Sequence, residues 1–338
     1  MHMMNELISV PVAAGTFAVS AGWIAVISRK LHKTLKNADY ALMGVLGAFV
    51  FAAQMVNIQL PLMPGTSCHF VGAVMLAIIF GPHVGAIVLS SVVVVQCLIF
   101  QDGGILALGC NILNMAIIPG YTGYFLYRLI ANDNPGRLRF YLAVIAACIT
   151  GLMAGAAMVP LQAEISGVLS IPLSGFMLTM LGVHFLAGIV EGLMTAAVLA
   201  YLMEVRPAIL MPQPENSRRA MSMRGVYISM ALLTLIAGGL LSLAASDKPD
   251  GLEWSYAERP DNPDFEPVVK NDSKLIENVD RLHGEYAPMP DYTIRASSAN
   301  ETASGAWTSF AGVAGAFVTM LLVWLLAKLI RSDTKNIV

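Results

Sequence analysis

The chain begins Met1-His2, and that pair alone offers three nitrogens to one metal ion. The terminal amine, the His2 backbone nitrogen and the His2 imidazole can close two fused chelate rings lying in one plane. A fourth nitrogen would complete a square, the geometry suited to Ni(II) or Cu(II). The competing reading of His2 is a hydrated residue on a frayed terminus. His69 tips the balance between them. It lies in Pro64-Gly65-Thr66-Ser67-Cys68-His69, at the start of an apolar run on the same side of the membrane as Met1. Its own alternative is an interfacial histidine hydrogen-bonded to Ser67. Cys68 is a weaker ligand candidate, because adjacent helical residues point about 100° apart.

Other ionisable or amide side chains inside apolar runs are candidates for supporting or pathway groups. Asn111 and Asn114 are three apart and share a helix face, either lining a cavity or joining helices by hydrogen bonds. His184 and Glu191 are seven apart and also share a face. Glu191 needs a partner, so a structural hydrogen bond and a functional role both remain open. His83 reads as an interfacial residue after Gly81-Pro82, and Asp102-Gly103-Gly104 as a tight turn. No Gly-x-x-x-x-Gly-Lys-Ser/Thr loop and no His-Glu-x-x-His pattern occurs.

The elements that must carry these residues are membrane helices. Hydrophobic residues make up 57% of the 338 and charged ones 12%, far from the roughly 25% charged of a soluble domain. A net charge of −2 argues against nucleic-acid binding. The apolar runs are continuous, without the alternation of a transmembrane β-barrel. They predict an all-α polytopic bundle of about nine spans, at 7–28, 39–57, 67–82, 84–101, 105–130, 140–160, 173–203, 225–246 and 306–330. The 20 Lys and Arg cluster in Arg29–Lys36, Arg128–Arg139, Arg206–Arg224 and Lys328–Lys335, with six more in 247–305 beside thirteen acids. Placing the first four clusters in the cytoplasm predicts the amino terminus outside, the carboxy terminus inside and the acidic 247–305 segment outside. Arg29, Lys30 and Lys33 follow the first apolar run and nothing basic precedes it. That order predicts an anchored helix rather than a cleaved signal peptide, with a free Met1 amine at the outer surface. Met1 is expected to stay in place, because the bulky His2 disfavours its removal.

Two blocks are expected. Residues 1–205 form a seven-helix metal-binding unit. A basic linker at 206–224, broken by Pro207, Pro212 and Pro214, leads to a two-helix unit at 225–338 that carries the 247–305 loop. That loop lacks long apolar runs and is expected to be partly disordered or docked on a partner surface. The four cysteines all lie in apolar stretches, which argues against a disulfide framework. No internal repeat is evident.

The ordered set Met1-His2, Gly65-Thr66-Ser67-Cys68-His69, Gly81-Pro82, Phe100-Gln101-Asp102-Gly103-Gly104, Leu108-Gly109-Cys110-Asn111, Asn114-Met115 and Glu191-Gly192 resembles the CbiM/NikM family. These are substrate-binding membrane subunits of energy-coupling-factor transporters for cobalt and nickel. The resemblance covers roughly residues 1–205. Pro249-Asp250-Gly251-Leu252-Glu253 looks like the two-helix accessory subunit of the same systems, here fused to the first block. The resemblance implies metal ligation by the Met1 amine, the His2 amide and imidazole, and His69. It also implies a membrane coupling (T) subunit and two cytoplasmic ATPases as partners. Nickel-type members tend to continue after His2 with Ile-Pro-Asp-Gly and cobalt-type members with Ile-Met-Glu-Gly. This chain reads Met3-Met4-Asn5-Glu6, with Met4 on the cobalt pattern and Pro11-Val12-Ala13-Ala14-Gly15 on the nickel one, so both metals stay open.

The expectation is therefore a non-enzymatic, multi-pass subunit of a bacterial inner membrane. It would take up Ni²⁺ or Co²⁺ with no cofactor beyond the transported ion. The rivals are a proton-coupled secondary transporter using Glu191 and an intramembrane enzyme, for which no nucleophile–base pair stands out.

Overall fold

The computed structural model describes every residue except 33, 34, 36, 61, 133–135, 211–220, 258, 272, 295–300 and 332–338, with the backbone alone at 37–39, 301–304 and 331. The middle of the expected linker and the last basic residue, Lys335, therefore lie outside the described residues.

The protein is a helical membrane bundle. In chain order the helices are α1 (Val10–Leu31), α2 (Asn37–Gln54), α3 (Ala73–Phe80), α4 (Pro82–Phe100), α5 (Leu108–Asn111) and α6 (Ile118–Ala131). They continue with α7 (Arg137–Ser166), α8 (Leu173–Val205), α9 (Met223–Gly239), α10 (Gly251–Tyr256), α11 (Lys274–Tyr286) and α12 (Glu301–Arg331). Among the described residues, α1, α4, α7, α8, the run Met223–Ala244 and the stretch Gly305–Ile330 of α12 are long and apolar enough to cross a membrane. Their outward side chains fit that solvent: Phe17, Trp23, Leu178, Leu193, Phe317 and Leu329 are exposed and apolar.

The expected spans overlap these helices, and the third departs most from expectation. Residues 67–82 contain a short strand, β2 (Ser67–Cys68), paired antiparallel with β1 (Ile58–Gln59), then a loop, then the eight-residue α3. Eight residues rise about 12 Å, far short of a hydrocarbon core of about 30 Å. Ala73 to Ala77 are fully enclosed by other helices, so the apolar run is buried against protein rather than lipid. Irregular backbone at such depth is tolerated where protein surrounds it.

Two further irregularities place site residues. Between α5 and α6 the chain makes one wide π-helical turn, Ile112–Ile117, ahead of Pro119, which has no N–H to donate to a regular ladder. α5 also meets α1 with almost no gap. A Cβ on Gly109 would lie 2.3 Å from Phe17 N, and Ser20 Oγ donates to the Gly109 carbonyl at 2.7 Å. α4 stops sharply at Gln101, which adopts the left-handed conformation with φ 58°, while Asp102 N–H returns to the Gln96 carbonyl at 3.1 Å.

α9 and α12 pack on α2 and on each other. The described part of the polar segment between them is docked, one of the two outcomes expected of it. Its described residues fold over the end of the bundle that carries Met1. Ser67 N–H donates to the Pro249 carbonyl at 2.9 Å, Ser170 N–H to Val268 at 2.8 Å and Met289 N–H to Ile99 at 3.0 Å. His283 Nε2 donates to the Cys97 carbonyl at 2.8 Å, and Asn271 Nδ2 donates to the Glu6 carbonyl at 3.0 Å. The surface on which these described residues dock belongs to their own chain.

Candidate metal site

The amino terminus is threaded into the bundle rather than frayed, with Met1 4% and Met3 0% exposed. Its path is set by polar side chains that hold its backbone. Asn111 Oδ1 accepts the Met3 N–H at 2.7 Å, and Asn111 Nδ2 returns a bond to the Met3 carbonyl at 3.1 Å. Gly104 N–H also donates to that carbonyl, at 3.0 Å. Asn5 Oδ1 then receives the Leu106 and Ala107 amides at 2.9 and 3.1 Å. Gly103, with φ 88°, admits this close approach. A Cβ there would meet Asn111 Nδ2 at 2.7 Å and His2 Cβ at 3.2 Å.

Met1 and His69 meet at the end of this path. The Met1 amine donates to His69 Nε2 at 2.7 Å. His69 Nδ1 is 3.2 Å from the Phe70 carbonyl, which can only accept, so Nδ1 carries the proton and Nε2 keeps its lone pair. That is the tautomer a metal ligand needs. The His2 ring stacks on the His69 ring, centroids 5.7 Å apart and planes 15° from parallel. His2 Nε2 faces Gln96 Oε1 at 3.1 Å. A buried amide chain fixes the direction of that contact: Gln96 Nε2 donates to Gln54 Oε1 at 2.7 Å, and Gln54 Nε2 to the Val71 carbonyl at 2.8 Å. Gln96 therefore presents an acceptor, and His2 Nδ1 is the nitrogen left for coordination. It rests 3.0 Å from Asp102 Oδ1. The structure thus brings the Met1 amine and His69 together. It holds the His2 imidazole beside them, with Nδ1 on a carboxylate.

Two acidic side chains face these nitrogens, and the sequence reading gives neither a ligand's place. Asp102 is the turn residue expected, yet it also pairs with His2 and accepts from Tyr292 Oη at 2.5 Å. Asp250, from the second block, forms an ion pair with the Met1 amine, and its Oδ2 is 3.6 Å from His69 Nε2. Burial acts to raise both carboxyls. The His2 charge and hydrogen bond outweigh it at Asp102, and the Met1 ammonium and His69 outweigh it at Asp250, so both are held below the usual carboxylate range. Burial beside Asp102 pushes the Tyr292 hydroxyl up, which keeps it a donor.

Met1, Cys68, His69, His184, Asp250 and Gly251 line a cavity of about 20 Å³, room for one water-sized occupant. His184 contributes its Nε2 edge, because its Nδ1 donates to the Met180 carbonyl at 2.8 Å. Glu191 lies two turns along the same face of α8 and accepts from Val71 N–H at 3.1 Å and Gly72 N–H at 3.0 Å. Its observed contacts are structural, pinning the backbone just beyond His69. Ser67 Oγ bonds the Lys248 carbonyl at 2.8 Å and not His69, so it anchors the second block. Asn114 pairs reciprocally with Gln162, at 2.7 and 2.9 Å, and joins the π-turn to α7. His83 lies apart, bonded to Tyr121 at 2.6 Å. Among the described residues, no three His, Cys, Asp or Glu side chains converge to hold an ion by themselves. The convergence here depends on the main-chain amine.

Comparison with known proteins matches two regions of the chain. Residues 2–209 match the family model of the cobalt uptake substrate-specific transmembrane region, CbiM, and residues 224–332 match the PDGLE domain. An Archaeoglobus fulgidus protein provisionally designated a fused nickel transport protein, NikMN, is 32% identical over 241 residues, covering 71% of this chain and 78% of the relative. A cobalt transport protein, CbiM, of Geobacter sulfurreducens is 28% identical over 276 residues, 77% of each chain. The crystal structure of a transition metal transporter superposes with a TM-score of 0.54 at 30% identity, covering 61% of this chain and 93% of the other.

Proposed function

The chain belongs to the cobalt uptake substrate-specific transmembrane family, joined here to a PDGLE domain, and on that premise we propose that it captures Ni²⁺ or Co²⁺ through Met1, His2 and His69. In this reading it is the substrate-specific subunit of an ATP-driven energy-coupling-factor transporter in a bacterial inner membrane. A membrane coupling subunit and two cytoplasmic ATPases supply the energy. Met1 faces the outside, nine helical segments form the bundle, and the first 205 residues hold the ion while residues 225–338 form the accessory unit.

The observation that carries the reading is the 2.7 Å separation of the Met1 amine and His69 Nε2. Two nitrogens on adjacent corners of a square, each about 2.0 Å from an ion, stand about 2.8 Å apart. The His2 amide and Nδ1 supply the remaining corners once Nδ1 turns from Asp102. Raw affinity in this series rises from Co through Ni to Cu, so selection has to come from geometry. A rigid nitrogen plane disfavours the tetrahedral preference of Zn²⁺.

Ser67, Asn111, Asn114 and Glu191 then serve by holding the terminus and the His69 loop, and His184 by lining the path. Both Glu191 oxygens are engaged by backbone amides, which weighs against a proton-carrying role and so against the secondary-transport alternative. Metal uptake by cells with and without the ATPase partners tests the proposal. Uptake should vanish without them, and uptake that persists would overturn the energy-coupled reading.

A further inference from the structure

Asp250 enters the site from the second block, and its two oxygens have different tasks. Oδ1 caps α10, accepting the Leu252 N–H at 2.8 Å and the Glu253 N–H at 2.9 Å. Oδ2 points the other way, onto the Met1 amine, 3.6 Å from His69 Nε2. This placement is built into the docking of the two blocks. Ser67 N–H donates to the Pro249 carbonyl at 2.9 Å, Thr66 Oγ1 to the same carbonyl at 3.1 Å, and Ser67 Oγ to the Lys248 carbonyl at 2.8 Å. The two residues before Asp250 are thus tied to the segment two residues before His69.

We propose that Asp250 Oδ2 is itself a ligand of the transported ion, an oxygen donated by the second block to the nitrogen set of the first. The assignment rests on the reading of Met1, His2 and His69 given above. Three arguments support it. An ion about 2 Å from both the Met1 amine and His69 Nε2 would need Oδ2 to move by less than about 1 Å to bind as well. Charge points the same way. A divalent ion that binds one deprotonated amide nitrogen keeps one positive charge, and a single carboxylate cancels it in a site with little water. Space agrees, since the cavity between Met1, His69, His184 and Asp250 holds one small ion and no chelating carrier. A carboxylate oxygen beside imidazole and amine nitrogens also makes a donor set with no preference for soft ions such as Cu(I).

The test uses the full chain with an untagged amino terminus and Ni²⁺ alone as the probe. Asp250→Asn keeps an oxygen for the α10 cap and removes the charge. Asp250→Ser, another capping residue, provides a second uncharged variant. Ni²⁺ affinity should fall on the order of 10–100-fold in both, and X-ray absorption of bound Ni²⁺ should lose one light-atom neighbour. Affinity within about twofold of wild type would overturn the proposal. So would weaker binding with an unchanged coordination shell, because Asp250 would then act only as a neighbouring charge. His69→Ala runs alongside. If it binds like wild type, the underlying nitrogen site is wrong. If it loses binding while Asp250→Asn does not, only the Asp250 assignment fails.

Discussion

Asn111 grips the Met3 peptide at both ends, accepting from its N–H at 2.7 Å and donating to its carbonyl at 3.1 Å. This bond pair fixes where Met1 and His2 lie, although Asn111 touches neither donor set. Asn111→Ala should cost about 2 kcal/mol of buried hydrogen bonding. Expressed as lost ordering of the terminal ligands, that is about a thirtyfold loss in Ni²⁺ affinity with the bundle still folded. Isothermal titration beside a thermal melt checks it. Unchanged affinity would show that the terminus finds its place without this clamp.

One residue inserted between Met1 and His2 enlarges the chelate ring and should abolish high-affinity binding while leaving the helices intact. Metal content of the purified variant is the measurement. Wild-type content would remove the terminal amine from the ligand set.

If His69 completes the proposed nitrogen plane, His69→Ala opens that corner to water. Affinity for Ni²⁺ and Co²⁺ should fall by more than about 100-fold, and discrimination against Zn²⁺ should weaken with it. Competition titrations decide the point, since retained preference over Zn²⁺ would place selectivity elsewhere.

The Asp250 contact predicts a particular acid response. Its carboxyl is held well below its ordinary value of 3.8, because the Met1 ammonium and His69 outweigh burial. A carboxylate depressed in the folded protein contributes stability that is complete above the unfolded value and is lost only as pH falls through the folded one. The cap on α10 should therefore persist from pH 7 to about 4 and open only below that range. Hydrogen exchange at the Leu252 and Glu253 amides reads it directly. Opening centred near pH 5 would contradict the pairing.

Glu191→Gln turns one acceptor into a donor facing the backbone N–H groups of Val71 and Gly72. The cost should be about 1–3 kcal/mol in stability, and metal affinity should fall through the displaced His69 loop. The pH dependence of uptake should be unchanged. A shifted pH profile would instead restore the proton-coupled reading.

The sequence makes the membrane class legible, because continuous apolar runs admit only buried or lipid-facing helices. His2 and His69 stand out because few residues of their type occur in a chain so apolar. The third segment misleads for a physical reason: hydropathy cannot separate a run buried in lipid from one buried in protein, and Phe70 to Ala77 is the second kind. Asp250 is hidden differently. Its neighbourhood reads as a polar helix cap, which it is, and nothing along the chain shows that the second oxygen reaches Met1. Asp102 is hidden in the same way, since a good turn residue gives no sign of a second task. Gln96 and Gln54 escape notice because an amide in a helix has no spacing that marks it, and only the fold aligns them into a chain ending on His2.

Glu191 has a mechanical consequence. Its carboxylate ties α8 to Val71 and Gly72, one peptide removed from the His69 loop, while His184 on the same helix forms part of the cavity wall. α8 is 33 residues long and rises about 50 Å. An axial shift of this rod must either break these two hydrogen bonds or pull the His69 loop along with it. If an ion sits at Met1, His2 and His69 as proposed, a push along either half of α8 would reach its site through this mid-helix tie, with nothing new touching the ion.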